Sequence, residues 1–103
     1  MAEVPRTIDI VVPVYEGAEA TRRCLGSVLA SGSACPREIV VVDDASPNPA
    51  IVQYLDELAA AGRVTLLRNE TNQGFVRSVN RGMALHADRD VVLLNSDTEV
   101  SGD

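Results

Sequence analysis

Apolar residues fall into two alternating kinds of run along this chain. IDIVVPV (8–14), EIVVVDD (38–44), VTLLR (64–68) and DVVLLNS (90–96) are short and apolar at consecutive positions. Runs of this kind, rich in β-branched residues, predict strands buried on both faces. Between them the apolar spacing turns helical. Ala18, Thr21, Leu25, Val28 and Leu29 predict a helix over 17–31, closed by Ser31-Gly32-Ser33. Asn48-Pro49 reads as an N-cap with proline in the first turn. The stripe Ile51, Tyr54, Leu55 and Leu58 carries that helix to about Ala61, with Gly62 as its stop. Phe75, Val79, Met83 and Ala87 sit four apart and predict a third helix, with Phe75, Val79 and Met83 in the core.

The order is β-α-β-α-β-α-β. Strands apolar on both sides need helices on both sides, which predicts a Rossmann-like parallel α/β sheet with right-handed crossovers. No linker, low-complexity segment or repeat interrupts residues 1–103, so one domain is expected.

Composition narrows the chemistry. Hydrophobic residues make up 46%, and the only aromatics are Tyr15, Tyr54 and Phe75, so the core must be aliphatic. The net charge is −6 and all nine basic residues are arginine. An acidic chain is poorly suited to neutralising phosphates, so no nucleic-acid partner is expected. The absence of lysine excludes a Schiff base, a Walker-type loop and a receiver-domain lysine. Cys24 falls on a helix face and Cys35 in a loop, too few for a disulfide framework and suited to reduced thiols in the cytosol. No signal-peptide pattern opens the chain and no apolar run reaches the length of a membrane span. A cytoplasmic location is expected, with the inner face of the membrane as the variant for a full-length protein.

In parallel α/β sheets, ligands bind outside the carboxyl ends of the strands. The first strand ends in Pro13, Val14, Tyr15 and Glu16, and the second in Asp43, Asp44, Ala45 and Ser46. The third ends in Arg68, Asn69 and Glu70, and the fourth in Asn95, Ser96 and Asp97. Such residues are ordinary in solvated turns, but acids crowded on one edge repel and give a purely structural sheet nothing. VPVYEGAEA has one glycine, Gly17, where a dinucleotide fingerprint needs three. No G-x-S-x-G elbow is present, and the single histidine, His86, reads as a surface residue at a helix C-terminus. A nucleotide-sugar site with a hard metal remains. Asn95 and Asp97, two apart at a strand end, point the same way and offer oxygens suited to Mg²⁺ or Mn²⁺ bridging a diphosphate.

Taken in order, IDIVVPVYEG, EIVVVDDAS, RNETNQGFVRSVNRG and VVLLNSDTEV resemble the family-two glycosyltransferases, the inverting group with the GT-A fold. The resemblance runs from Ile8 to Val100, and the NSD form looks most like bacterial members that build O-antigen and other surface polysaccharides, including the rhamnosyltransferase-like group. It implies the N-terminal half of a GT-A fold, with strand order 3-2-1-4. The implied donor is a UDP- or dTDP-linked sugar and the implied acceptor a saccharide or lipid-linked hydroxyl.

Roles carry over by position. Pro13, Tyr15 and Glu16 match the segment lining the base, with Tyr15 packing on a pyrimidine. Asp43 and Asp44 match the acidic pair, one of which accepts the imide N–H; Asp44, nearer the loop, is the favoured one. Gly74, Arg77 and Asn80 match the loop and helix beside the nucleotide. Asn95, Ser96 and Asp97 match the D-x-D metal motif, with Asn95 in place of the first acid and Asp97 as the main ligand.

The same resemblance places the catalytic base, an Asp or Glu, downstream of Asp103 together with the acceptor-binding half. Residues 1–103 are therefore expected to bind donor and metal but not to transfer sugar alone. An open sheet edge at the fourth strand is expected to favour self-association. The alternative is a stand-alone nucleotide-binding or regulatory module with the same sheet and acidic rim.

Overall fold

A computed structural model describes residues 7–30 and 37–96 of the chain. The strands are β1 (Ile8–Val14), β2 (Arg37–Asp43), β3 (Thr65–Arg68) and β4 (Val91–Leu93). The helices are α1 (Ala18–Ala30), α2 (Pro49–Ala60) and α3 (Phe75–Ala84). All strands are parallel, in the order β3-β2-β1-β4. The predicted architecture and strand order are those observed.

Register explains how the two faces divide. β1 and β2 pair from Ile8↔Arg37 to Val14↔Asp43. Side chains alternate across a strand, so Val12, Val14, Ile39 and Val41 lie on one face with Cys24, Leu25 and Val28 of α1 and Ile51, Leu55 and Leu58 of α2. Val11, Val40 and Val42 lie on the other, beneath α3. α2 begins where the sequence places it, with Asn48 Oδ1 accepting the Ala50 N–H at 2.9 Å and Pro49 in the first turn.

α3 corrects the sequence reading. Phe75 and Met83 are exposed, and the buried residues are Ser78, Val79 and Gly82. The reason is closeness of approach. A Cβ on Gly82 would lie 2.6 Å from Val11 Cγ1 and 3.1 Å from Val42 Cγ2. The helix meets the sheet through its small residues, and the larger apolar ones turn outward. α3 also ends at Ala84, short of Ala87, and β4 covers Val91–Leu93 instead of 90–96. Val92 and Leu93 are exposed, because β4 lies at the sheet edge. Cys35 and the Ser31-Gly32-Ser33 stop lie outside the described residues.

His86 is a second correction. It is half-buried, and its Nδ1 lies 2.8 Å from Oδ2 of Asp9, a fully buried carboxylate inside β1. Arg89 Nη1 donates to Asp9 Oδ1 and Glu38 Oε1, each at 2.9 Å, and lies 3.1 Å from the same His86 nitrogen. A carboxylate only accepts and a guanidinium only donates, so Nδ1 donates to Asp9 in one tautomer and accepts from Arg89 in the other, and the shorter of the two contacts is the one with Asp9. Glu38 is held below the ordinary carboxylate range by the Thr65 hydroxyl and by Arg89. An acid inside an apolar strand is the sequence signal for this network, since charges are buried only when paired.

Candidate donor site

Alternation also sorts the strand-end residues. Pro13 shares its face of β1 with Val11, and Asp44 follows Val40 and Val42 on β2, so both belong to the α3 side. Asp43 follows Ile39 and Val41 to the opposite side. There it is buried; Oδ2 accepts from Arg68 Nε at 3.0 Å and Oδ1 from the Ser46 N–H at 2.9 Å. Arg68 also donates to Asp56 Oδ1 at 2.6 Å and to the Val52 carbonyl at 3.1 Å, tying β3 to α2.

Asp44 is 4% exposed and holds a different structure. Its Oδ1 accepts from Asn69 Nδ2 at 2.8 Å and the Gln73 N–H at 2.7 Å. Its Oδ2 accepts from Asn72 Nδ2 and the Gly74 N–H, both at 2.9 Å. Burial raises this carboxyl, but the bonds from Gln73, Asn69, Gly74 and Ser78 outweigh it and hold the group below its ordinary value. Asn69 is oriented in turn by donation to Ser78 Oγ at 3.0 Å and by Arg81 Nη1, which donates to its Oδ1 at 2.7 Å. One carboxylate thus organises the loop from Asn69 to Gly74 and the entry to α3. Gly74 turns the chain there with φ +90°, a conformation side chains rarely adopt.

Between this loop and the ends of β1 and β4 lies a cavity of about 320 Å³. Of the residues singled out in the sequence, Pro13, Tyr15, Glu16, Asp44, Gly74, Asn95 and Ser96 line it. Asp43, Arg77 and Asn80 do not; Arg77 donates to Gln73 one turn back at 3.3 Å, and Asn80 is exposed. Asp97 lies outside the described residues. Sequence reasoning missed Asn72, Phe75 and Ser78, which also border the cavity. The turn-forming NETNQG segment gave no signal for Asn72, and the four-residue spacing of Phe75 pointed to the core. The Asn95 carbonyl accepts from the buried Cys24 thiol at 3.4 Å, anchoring the end of the β4 segment over α1.

A larger open groove, about 620 Å³, lies at the amino ends of the strands beside Arg37, Glu38 and Arg89. Asp9, Glu38 and His86 there each offer a ligand atom within 4.8 Å of one another. Arg89 Nη1 is already within 3.1 Å of all three groups and supplies their positive charge. Position decides between the two ends, because parallel sheets present ligand-binding loops at their carboxyl ends.

The parallel 3-2-1-4 sheet, with this cavity at its carboxyl edge, defines the N-terminal half of a GT-A nucleotide-diphospho-sugar transferase fold. The model for Glycosyl transferase family 2 matches residues 9–103, and the chain belongs to that family. It is 32% identical to N-acetylgalactosaminyltransferase 7 of Drosophila melanogaster over 102 residues, which is 96% of this chain and 17% of that protein. Among solved structures, GalNAc-T7 with UDP, GalNAc and Mn²⁺ is 28% identical with a TM-score of 0.76, covering 97% of this chain and 20% of that one. S. aureus TarS 1–349 with UDP is 22% identical with a TM-score of 0.77, covering 94% and 29%, a likeness of fold. The chain therefore spans less than a third of the length of these relatives. Among the described residues no helix is long and apolar enough to cross a membrane.

Proposed function

We propose that residues 1–103 form the donor-binding part of a glycosyltransferase that moves a sugar from a nucleoside diphosphate to an acceptor hydroxyl with inversion. The observation that carries this is the cavity at the ends of β1 and β4, where Tyr15, Asp44, Asn95 and Ser96 meet. Tyr15 is 40% exposed, and its ring offers a flat apolar face to a pyrimidine. Of the acidic pair only Asp44 borders the cavity, so it is the one assigned to the imide N–H. Asn72, the exposed side chain among its partners, is the donor an arriving imide displaces.

Asn95 and Ser96 bring hard oxygen donors to the cavity, which fits a divalent cation shared with a diphosphate. Asn95 with Asp97 would hold Mg²⁺ or Mn²⁺, whose chemistry is to neutralise charge on the leaving diphosphate, and Ser96 is assigned to the nucleotide. The chain's own residues hold the base, shape the loop and seat the diphosphate end. The chain covers less than a third of the relatives it matches. On this reading the acceptor half and the catalytic base lie in the part of such proteins that it does not cover, so residues 1–103 are expected not to transfer sugar alone. The NSD form supports a role in surface-polysaccharide synthesis with a UDP- or dTDP-linked donor. Among the described residues β4 is an edge strand, and we assign that edge to self-association.

The test is an NMR titration of the chain with UDP and Mg²⁺. Amide shifts are expected at 13–16, 44, 72–75 and 95–96, with purine nucleotides weaker. Shifts confined to the amino ends of the strands would sink the assignment.

A further inference from the structure

Resting on the donor-site reading, we propose that Phe75 is a base-contacting residue, the second aromatic surface of the nucleotide cavity after Tyr15. The chain has three aromatic residues. Tyr54 lies on the far side of the sheet, packed against the α1–α2 core with the Arg22 guanidinium 5.0 Å from its ring centre. The other two, Tyr15 and Phe75, border the same cavity from different elements, the end of β1 and the start of α3.

Phe75 is 50% exposed although the helix that carries it packs on a sheet with an aliphatic core. An exposed apolar side chain is ordinary by itself; what sets Phe75 apart is that it borders the same cavity as Tyr15. Its position is imposed. The N–H groups of Gln73 and Gly74, the two residues before it, are both held by the buried Asp44 carboxylate, at 2.7 and 2.9 Å. The left-handed turn at Gly74 then starts the helix with Phe75 at the cavity wall. Three consecutive loop residues, Asn72, Gln73 and Gly74, all donate to Asp44, and they form the segment that sets this ring. The carboxylate thus acts on the base partly as a positioning residue, through Phe75. Aromatic surfaces bind bases by stacking without needing to read their edges. A ring here adds affinity for the base while leaving base choice to the polar groups.

Because the chain contains no tryptophan, the proposal has a direct optical test. Phe75→Trp places a single indole at the cavity, and Val76→Trp places one at the neighbouring position, which is 68% exposed and does not line it. UDP is expected to quench the Phe75→Trp emission saturably and to leave Val76→Trp unchanged. Ribose 5-phosphate, which has no base, should quench neither. Phe75→Ala should raise the UDP dissociation constant about tenfold, the scale of a lost base stack, and Phe75→Tyr should restore it. If UDP shifts the amides of 13–16 and 44 but Phe75→Ala binds it as tightly as the parent, the donor site stands and this inference falls. Quenching of Phe75→Trp by ribose 5-phosphate would also overturn it. No UDP shifts at the cavity would remove the donor reading and this inference with it.

Discussion

The carboxylate of Asp44 accepts the backbone N–H of Gly74 at 2.9 Å, across thirty residues of sequence. That bond joins the acidic end of β2 to the first turn of α3. With its companion at the Gln73 N–H it ties the loop to the cavity wall.

Asp44→Asn should destabilise the chain by about 2–3 kcal/mol, since an amide N–H₂ would face backbone N–H groups and leave a buried donor unpaired. The pH dependence has a definite sign. The folded Asp44 carboxyl lies below its ordinary value, with burial opposed by stronger hydrogen bonds. Its stabilisation is therefore complete above the unfolded value of about 4 and is lost as pH falls through the depressed folded value. Urea unfolding from neutral pH to acid should show a smaller loss of stability in Asp44→Asn than in the parent.

Ala45 follows with φ 56°, the one described residue other than glycine in the left-handed region. An L side chain there is strained by about 1 kcal/mol. Ala45→Gly is expected to raise stability by up to about that amount, less the added entropy of the unfolded chain. Thermal unfolding would measure it, and a lower melting temperature would contradict the strain.

Gly82→Ala tests how closely α3 approaches the sheet. In an ordinary helix interior the change favours folding by about 1 kcal/mol. Here the new methyl would sit 2.6 Å from Val11 Cγ1, and the stiff, fully buried Val11 cannot swing aside. A net loss of about 1–3 kcal/mol is expected. Denaturant titration should show it, and a gain would mean that the helix stands further off.

At the other end of the sheet, Asp9 is 0% exposed while Arg89 and His86 are partly exposed. Removing the cation leaves a buried charge, whereas neutralising the acid leaves partners that can turn to water. Arg89→Ala should therefore lower the melting temperature more than Asp9→Asn. The reverse order would show that Asp9 is held chiefly by His86.

On the proposed donor-site reading, Asp97 is the residue assigned the charge of the metal motif. Asp97→Asn should abolish most of the Mg²⁺-dependent gain in UDP affinity while leaving metal-free binding of uridine unchanged. Calorimetric titration with and without the metal separates the two. An unaltered metal dependence would move the ligand role elsewhere.

Much of this was legible in the sequence, and for a physical reason. Runs such as IVVVD are too apolar for any place but a two-sided sheet, and helices between such strands compel parallel crossovers. The cluster of Pro13, Tyr15, Asp44, Asn95 and Ser96 follows from the rule that strand ends converge on one edge. Tertiary structure alone decided the rest. Asp43 and Asp44 are neighbours in sequence, yet strand alternation sends one to Arg68 and the other to the loop from Asn69 to Gly74. His86 had no visible partner until the end of α3 was brought against Asp9, 77 residues earlier. Phe75 has the spacing of a core residue. It lies at the cavity because Gly82, one glycine on the same helix, lets Ser78 and Val79 take the contact with the sheet. Periodicity reports which residues share a helix face; only the packing of that helix determines which face goes inside.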